Sequence, residues 1–200
     1  MTDLTQHFLS RLILQSTQEF PDNLIGQNPA AVLIPLVKRG EGLHVVMTQR
    51  SFSLRHHPGQ ICFPGGRYDT NDILLSQTAL RETEEELGIS MQQIQLLREL
   101  PIRHTLTGFN IRPYIGLLHP PYQYQINQDE VLAVFEIPLS QLLTPHAFQK
   151  LRIIRRGSVH EIIGLTINDW FIWGATARIL HSLMEEYGDN LEARPGVEPG

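Results

Sequence analysis

The 200-residue sequence contains a single cysteine, Cys62. One cysteine cannot form an internal disulfide, which is typical of a protein from a reducing compartment. Cys62 stands in a short apolar stretch before Pro64. We therefore interpret it as a small buried residue and not as a nucleophile.

The chain also lacks an apolar run long enough to cross a membrane. Its first residues do not form a signal peptide, because Asp3 stands where a positive charge is expected and Arg11 interrupts the apolar positions. Instead, Leu4, Phe8 and Leu12 follow the spacing of a helix. These features predict a soluble, cytoplasmic protein with no membrane partner.

Positive charge is scarce. The sequence has 16 Lys and Arg against 21 Asp and Glu, and its formal net charge is −5. Without a basic run to neutralise phosphates, a general nucleic-acid binder is not expected. A hydrophobic content of 42% over this length predicts one globular domain of ordinary size with a sizeable core.

The stretch from Gly59 to Ile89 carries the chemistry. A short apolar strand runs into Pro64-Gly65-Gly66, a polar turn follows, and a helix then continues until Gly88 closes it. Glycines at 65 and 66 allow a tight turn and a close approach to a ligand or to the helix. Roughly a quarter turn away from the carboxylates of the helix, a second face predicts packing on a sheet. Its residues are Ala79, Leu80, Thr83 and Leu87.

Three glutamates share one face of this helix, since Glu82, Glu85 and Glu86 stand at i, i+3 and i+4. Like charges at this spacing repel one another, so the cluster needs water or a cation beside it. Carboxylate oxygens are ligands that Mg²⁺ prefers. Taken alone, however, such a run is more often a solvated helix face.

The arrangement as a whole resembles the signature of the Nudix hydrolase family. Gly66 matches the first glycine of that signature, and the run from Arg81 to Ile89 matches its second half, with Thr83 at an apolar position. The sequence departs in the middle, where Asp72 replaces a glutamate and one extra residue precedes Arg81. Asp72 is therefore interpreted as a turn or N-cap residue.

The loop upstream of this stretch holds two arginines, two histidines and two serines between Arg50 and Gln60. Arginine binds phosphate through paired hydrogen bonds, although a polar surface loop is the commoner explanation. From Thr48 to Gly66 the sequence resembles the extra signature of the coenzyme A pyrophosphatase branch of the family. The matching residues are Arg50, Ser51, Arg55, Gly59, Phe63, Pro64, Gly65 and Gly66.

The resemblance covers about residues 30–187 and implies an α/β (α+β) fold, a Nudix-type α/β/α sandwich with a central mixed β-sheet. We expect an N-terminal helix and lead-in loop over 1–29, the Nudix hydrolase domain over 30–188 and a disordered tail over 189–200. Apolar patterning predicts strands over 30–37, 43–50, 94–105, 111–119 and 131–139, and a hairpin formed by 150–156 and 158–165. Helices are expected over 140–143 and from Asp169 to Tyr187.

The resemblance also implies the roles of individual residues. Mg²⁺ or Mn²⁺ would be bound by Glu82, Glu85 and Glu86, with Arg81 orienting the glutamates by ion pairing. Residues expected to bind substrate are Arg50, Ser51, Arg55, Gly65 and Gly66. Glu130, at the entrance of a later strand, is a further candidate catalytic carboxylate, with a solvated loop acid as the alternative.

The implied reaction is the hydrolysis of coenzyme A or a derivative to 4′-phosphopantetheine and 3′,5′-ADP. Two alternatives remain open from the sequence. The substrate could be another nucleotide, such as ADP-ribose, NADH or a nucleoside triphosphate, or the chain could be a non-catalytic nucleotide-binding module. Assembly as a homodimer is also left open.

Overall fold

The computed structural model describes residues 2–15, 28–40, 42–155 and 157–188. Its helices are α1 (Thr2–Leu14), α2 (Leu75–Leu87), α3 (Leu139–Leu142) and α4 (Ala175–Tyr187). Its strands are β1 (Pro29–Arg39), β2 (Gly42–Arg50), β3 (Ile61–Cys62), β4 (Gly65–Arg67), β5 (Ile94–Glu99), β6 (Arg103–His104), β7 (Asn110–Leu118), β8 (Val131–Pro138), β9 (Phe148–Arg155), β10 (Ser158–Ile167) and β11 (Trp170–Trp173). The lead-in residues 16–27 and the tail over 189–200 lie outside the described residues.

The larger sheet is mixed and is centred on β1. Its strands follow the order β3-β2-β1-β7-β5, while β4 pairs with β1, β6 with β7 and β8 with β2. β1 runs parallel to β7 and antiparallel to β2 and β4. Pro35, which has no N–H to donate, lies between the segment of β1 that pairs with β4 and the segment that pairs with β2.

Helices cover both faces of this sheet. On one face, Ala79 and Leu87 of α2 pack with Ala31 and Leu33 of β1. The opposite face buries a larger cluster that contains residues of α1, α3 and α4. The α/β/α sandwich with a mixed central sheet is therefore confirmed. None of the helices in the described part of the chain is long and apolar enough to span a membrane.

The helix that carries the glutamates forms as the sequence predicts. It ends at Gly88, which adopts the left-handed conformation with φ of 68° and donates its N–H to the carbonyl of Glu84. Thr83 replaces an apolar residue at a buried position. Its hydroxyl donates to the carbonyl of Ala79 at 2.7 Å, so this polar group is satisfied inside the helix.

A separate three-stranded sheet, in the order β11-β10-β9, corrects one prediction. The last helix does not begin at Asp169, because Trp170–Trp173 forms β11 and α4 starts only at Ala175. The aromatic and branched run pairs with β10, and Ile172 is fully buried opposite Leu165. Aromatic and branched residues favour a strand wherever a partner strand is present.

Two further predictions need correction. The strand expected over 94–105 is divided into β5 and β6, because Pro101 between them has no N–H for the ladder. The predicted turn at Pro64-Gly65-Gly66 is in part a strand, since Gly65–Arg67 forms β4 and pairs with Ala30, Ala31 and Val32 of β1. This pairing brings the backbone of residues 65 and 66 beside α2.

Candidate active site

The two glycines of β4 allow the strand to fit between β1 and the carboxylates of α2. A Cβ atom at Gly66 would lie 2.2 Å from the carboxylate carbon of Glu82. Gly65 has φ of 151°, and a Cβ atom there would lie 2.4 Å from the carbonyl oxygen of Ala31. A side chain at residue 65 would clash with the backbone of β1, so the fold requires glycine there, whereas a side chain at residue 66 would displace the carboxylate of Glu82.

Glu86 is the most deeply buried of the three glutamates, at 2% exposure. It accepts a hydrogen bond from the backbone N–H of Gly65, while its Oε2 atom is buried and has no partner among the described residues. Burial raises the pKa of Glu86 to about 8; the charge of Arg50 opposes this shift, and the charges of Glu82 and Glu130 add to it. Glu86 therefore holds a proton at neutral pH unless a cation lies beside it.

Glu82 and Glu130 lie close enough to Glu86 to influence its charge. Burial raises the pKa of Glu82 despite its ion pair with Arg81, and Glu130 contributes to this shift as well. Glu130 stands directly before β8, and its carbonyl accepts a hydrogen bond from the N–H of Ser51 at 2.8 Å. The structure thus places Glu130 near the glutamate pair, at the junction with the upstream loop.

The carboxylate of Glu136, another acidic residue of this segment, is hydrogen-bonded to residues outside the glutamate cluster. Its carboxylate accepts hydrogen bonds from Arg39 at 2.6 and 2.7 Å and from the hydroxyl of Tyr124 at 2.7 Å. The ring of Tyr122 lies under the guanidinium of Arg39, with 5.5 Å between the guanidinium carbon and the ring centroid. Tyr122 and Tyr124 thus both contact the Arg39–Glu136 ion pair.

Arg81 connects the carboxylates of α2 to the preceding loop. It donates to Glu82 at 2.8 Å and to Glu85 at 3.1 Å. It also donates to both carboxylate oxygens of Asp72 at 3.1 Å and to the carbonyl of Arg67 at 3.1 Å. Arg81 thus contacts protein carboxylates, which is the orienting arrangement that the family resemblance implies.

Asp72 is a turn residue, which is one of the two interpretations from the sequence, since its N–H donates to the carbonyl of Asp69 at 2.9 Å. It is not the N-cap, because Leu74 occupies that position. The sequence analysis missed its second role, because Asp72 is only 7% exposed and forms an ion pair with Arg81. Burial alone would raise the pKa of Asp72, but hydrogen bonds from Arg81 and from the hydroxyl of Thr78 outweigh it and lower the pKa. Its place at the first acidic position of the family signature was the signal that could have identified it.

The glutamates provide donors that suit a hard divalent cation. The partnerless Oε2 of Glu86 lies near Glu82, and carboxylate oxygens are the preferred ligands of Mg²⁺ and Mn²⁺. Within the described residues, however, no three acidic, histidine or cysteine side chains converge closely enough to hold a metal ion. Arg81 holds Glu82 and Glu85, so binding by all three glutamates requires these side chains to move.

The upstream loop lies against this cluster through its first residues. Arg50 ends β2, and its charge acts both on Glu86 and on His57. The hydroxyl of Ser51 is hydrogen-bonded to that of Ser53 at 2.8 Å. Arg55, by contrast, is an exposed loop residue. The charge of Arg50 therefore reaches the carboxylate of Glu86, whereas Ser51 contacts the backbone of Glu130 and Arg55 stays on the surface of the loop.

The far end of the loop rests on the smaller sheet. His57 lies 6.1 Å from Trp173, measured between ring centroids, and the side chain of Gln60 donates to the carbonyl of Trp173 at 3.2 Å. Cys62 follows in β3, where burial raises the pKa of its thiol to about 11. A thiol with this pKa is not ionised at neutral pH, which agrees with a structural role.

The site thus consists of a glycine-lined strand beneath a helix of carboxylates, with the loop that follows Arg50 beside it. The chain belongs to the Nudix hydrolase family, since the family model of the NUDIX domain matches residues 27–174. It is accordingly a Nudix pyrophosphohydrolase of a nucleotide-type substrate, from a family that typically uses divalent metals.

Similar proteins agree with this assignment. The relatives named "Uncharacterized Nudix hydrolase NudL" from Salmonella typhimurium and Salmonella typhi are each 41% identical over 183 residues, which is 91% of this chain and 94% of theirs. A solved structure of a MutT/nudix family protein from Enterococcus faecalis shares the fold, with a TM-score of 0.50 and 19% identity. That likeness covers 95% of this chain and 71% of the other.

Proposed function

We propose that the protein hydrolyses the pyrophosphate of coenzyme A or an acyl-coenzyme A to 4′-phosphopantetheine and 3′,5′-ADP. The observation that carries this proposal is the position of Arg50, which ends β2 and acts on both Glu86 and the loop residue His57. A substrate phosphate bound by Arg50 would lie beside the glutamates. The resemblance of Thr48 to Gly66 to the coenzyme A pyrophosphatase signature supports the choice of substrate.

The glutamates of α2 hold the divalent cation in this proposal. Glu82, Glu85 and Glu86 would hold Mg²⁺ or Mn²⁺, and the bound cation would supply positive charge for the pyrophosphate oxygens and increase the acidity of water. The backbone of Gly65 and Gly66 forms the floor of the site. Arg81, which is held by Asp72, pairs with Glu82 and Glu85 until these side chains turn towards the cation, and it does not contact the substrate.

Glu130 is the proposed general base. A base must be able to take a proton from water near the phosphorus that is attacked. Glu82 and Glu85 are ion-paired with Arg81. Glu130 lies outside α2, directly before β8, and its charge contributes to the raised pKa of both Glu82 and Glu86. Glu130→Gln should therefore slow turnover at saturating substrate well beyond tenfold, which corresponds to about 1.4 kcal/mol. A smaller effect would make Glu130 an ordinary loop acid.

The loop arginines would select the substrate. Coenzyme A carries a 3′-phosphate that dephospho-coenzyme A lacks, and charge-assisted hydrogen bonds to phosphate are strong. Because Arg55 is exposed and Arg50 is less exposed, Arg55 would meet an outer phosphate of the substrate and Arg50 would meet the pyrophosphate. Loss of Arg55 should raise KM for coenzyme A more than KM for dephospho-coenzyme A.

A hydrolysis panel with Mg²⁺ and Mn²⁺ tests the substrate. It should compare coenzyme A, acetyl-coenzyme A and dephospho-coenzyme A with ADP-ribose, NADH and nucleoside triphosphates. We expect the highest kcat/KM for a coenzyme A compound. Much faster turnover of ADP-ribose, NADH or a triphosphate would overturn the coenzyme A proposal and leave the family assignment intact. Absence of metal-dependent turnover on every substrate would favour a binding module.

Substitutions on α2 test the catalytic centre separately. Glu82→Gln and Glu86→Gln should each lower kcat by orders of magnitude, because each removes a charged ligand without changing the size of the side chain. Glu84→Gln is the matched control, since Glu84 is exposed on another face of the same helix. Near-normal turnover of both site variants, with the metal supplied, would refute the proposed centre.

A further inference from the structure

The upstream loop connects the glutamate cluster to the smaller sheet. At its start, the N–H of Ser51 donates to the carbonyl of Glu130, directly before β8. Towards its end, the side chain of Gln60 donates to the carbonyl of Trp173 in β11 at 3.2 Å. The ring of His57 lies beside that of Trp173, with 6.1 Å between their centroids. The far half of the loop therefore rests on the smaller sheet.

The register of the smaller sheet places an arginine on the same face as Trp173. Trp173 pairs with Gly164 of β10, and Gly164 pairs in turn with Gln149 of β9. Side chains of directly paired residues lie on one face of a sheet, and so do residues an even number of positions apart in a strand. Arg155 follows Gln149 by an even number of positions. It therefore shares the face of Trp173, at the hairpin end of β9.

The charge of this arginine reaches the upstream loop. Desolvation lowers the pKa of His57, and the positive charges of Arg50, His56 and Arg155 lower it further. Arg50 acts in addition on the carboxylate of Glu86. His57 thus lies between an arginine of the smaller sheet and the arginine nearest to the glutamates, and the three groups follow one another away from α2.

Protein carboxylates do not neutralise this positive charge. Arg155 is half-buried, and within the described part of the chain its guanidinium forms no hydrogen bond or ion pair. The sequence of the upstream loop contains no Asp or Glu. Among the described residues of β9, β10 and β11, the face that carries Trp173 has no carboxylate either, since Glu161 lies on the other face. The space between loop and sheet is therefore suited to an anion, although the formal net charge of the chain is −5.

We propose that Arg155 is a specificity-determining residue of the substrate site, whose guanidinium binds a phosphate group of the nucleotide between the upstream loop and the Trp173 face of the smaller sheet. Arginine offers paired donors that match the oxygens of a phosphate. The phosphate is either the pyrophosphate, shared with Arg50, or an outer phosphate such as the 3′-phosphate of coenzyme A, shared with Arg55. The inference rests on the proposed position of the substrate beside Arg50, and it extends the site to the second sheet.

Steady-state kinetics with Mg²⁺ test the proposal on the nucleotide of the hydrolysis panel that has the highest kcat/KM. Arg155→Gln should raise KM at least about fivefold and leave kcat within about twofold, because it removes binding that is equal in the ground state and the transition state. Arg155→Lys should retain part of the affinity, since it keeps the charge and loses the paired donors. An unchanged KM for Arg155→Gln would overturn the proposal.

The matched control is Arg152→Gln. Arg152 is an exposed arginine of the same strand, and it lies on the opposite face of the smaller sheet. Its loss changes the net charge of the protein by the same amount, so KM should stay at the wild-type value. An equal rise of KM in both variants would show a general effect of charge and would also overturn the proposal.

The same variants identify the phosphate. A larger rise of KM for coenzyme A than for dephospho-coenzyme A indicates the 3′-phosphate, whereas an equal rise indicates the pyrophosphate, and both results support the role of Arg155. If the panel selects another nucleotide, the coenzyme A proposal fails, but a raised KM of Arg155→Gln for that nucleotide still supports the inference. The two failures are therefore distinguishable.

Two further measurements complete the design. Arg155→Gln should keep the wild-type Tm, because its side chain has no protein partner to lose among the described residues; if it does not fold, Arg155→Lys replaces it, and an unchanged KM of that variant overturns the proposal. If no nucleotide is turned over, calorimetric titration with coenzyme A in Mg²⁺ replaces the kinetics. Equal affinity of wild type and Arg155→Gln, or absence of binding to the wild type, then overturns the proposal.

Discussion

Asp72 receives two nitrogen donors of Arg81 and the hydroxyl of Thr78, so this one carboxylate fixes the arginine that holds Glu82 and Glu85. These hydrogen bonds connect the loop before α2 to the middle of the helix. It explains how an aspartate can stand where the family signature has a glutamate. The shorter side chain is buried against the helix and contacts Arg81 directly.

Replacement of Asp72 by asparagine should therefore destabilise the protein and disturb the site. Loss of the ion pair leaves the charge of Arg81 only partly compensated, for which we expect a decrease of about 1–3 kcal/mol in the free energy of unfolding. Activity should fall as well, because Arg81 would no longer be held beside the glutamates. Urea unfolding and steady-state kinetics measure both effects. Asp69→Asn, on the exposed side of the same turn, is the control, and equal effects of the two variants would contradict the role of Asp72.

The raised pKa of Glu86 predicts how stability depends on pH in metal-free protein. In the unfolded chain Glu86 loses its proton near its ordinary pKa of 4.5, whereas in the folded protein it keeps the proton up to about pH 8. The unfolded state therefore binds fewer protons between these values. The contribution of Glu86 to the free energy of unfolding should be highest below pH 4.5. It should fall between pH 4.5 and about pH 8 by up to about 1.4 kcal/mol per pH unit and remain constant at higher pH.

Chemical unfolding in the presence of a chelator, at several pH values from 5 to 8, measures this slope. Glu86→Gln should flatten it, whereas Glu84→Gln should retain it. Mg²⁺ at pH 8 should stabilise the wild type more than Glu86→Gln, because a ligand that binds only the folded state stabilises that state. Identical slopes for wild type and Glu86→Gln would show that Glu86 is not protonated in the folded protein.

The sequence could predict which helix face carries the glutamates, because helical spacing is regular and the family signature is local. It could not predict which partner each charge takes. Arg81 donates to Asp72, which lies nine positions earlier in the sequence and beyond a turn. The carbonyl of Glu130 accepts a hydrogen bond from the N–H of Ser51, although the two residues are far apart in the sequence. Contacts of this kind depend on strand register, which the pattern of residues leaves undetermined.

At the scale of secondary structure, β4 positions the backbone of Gly65 and Gly66 beside the carboxylates of α2. The three residues Gly65–Arg67 pair with the start of β1, although the Pro-Gly-Gly run predicts a turn. Trp170–Trp173 shows the same limitation, since its pairing with β10 overrides the helical pattern that continues into α4. In both segments the pairing with a neighbouring strand decides the conformation, and neither the turn residues of the first segment nor the helical spacing assigned to the second predicts it.

A test of β4 compares two glycine-to-alanine substitutions. Gly65→Ala places a Cβ atom 2.4 Å from the carbonyl oxygen of Ala31 and 2.6 Å from Cα of Val32, at a φ of 151°. We expect a loss of about 1–3 kcal/mol in the free energy of unfolding, together with reduced activity as β4 moves away from α2. In Gly42→Ala the nearest atom lies 4.0 Å away, so this variant should change little. Equal stability of the two variants in thermal or urea unfolding would exclude a tight approach of β4 to β1.

At the scale of the whole molecule, the described residues form two apolar clusters, one on each face of the larger sheet. The cluster beneath α2 supports the candidate active site, and the larger one joins α1 and α4. Phe8 of α1 packs edge-on against Tyr187 of α4, with 5.0 Å between ring centroids. Arg98 of β5 adds a hydrogen bond to Gln15 at 3.0 Å and an ion pair to Glu186. The N-terminal helix thus shares the core of the domain that we predicted to begin at residue 30.

Substitution of leucines in α1 tests whether this helix contributes to the stability of the whole protein. Leu12 is fully buried in the shared core, whereas Leu14, in the same helix, is 76% exposed. Because Leu12→Ala leaves a cavity as well as removing buried apolar surface, it should lower the free energy of unfolding by about 2–5 kcal/mol. Leu14→Ala removes the same atoms from water-exposed surface and should change that free energy by less than about 0.5 kcal/mol. Both variants should unfold in one cooperative transition when it is followed by circular dichroism and by tryptophan fluorescence, since Trp170 and Trp173 lie in the smaller sheet. If Leu12→Ala and Leu14→Ala had the same free energy of unfolding, α1 would not contribute to the stability of the domain. The predicted boundary near residue 30 would then be the boundary of the folded domain.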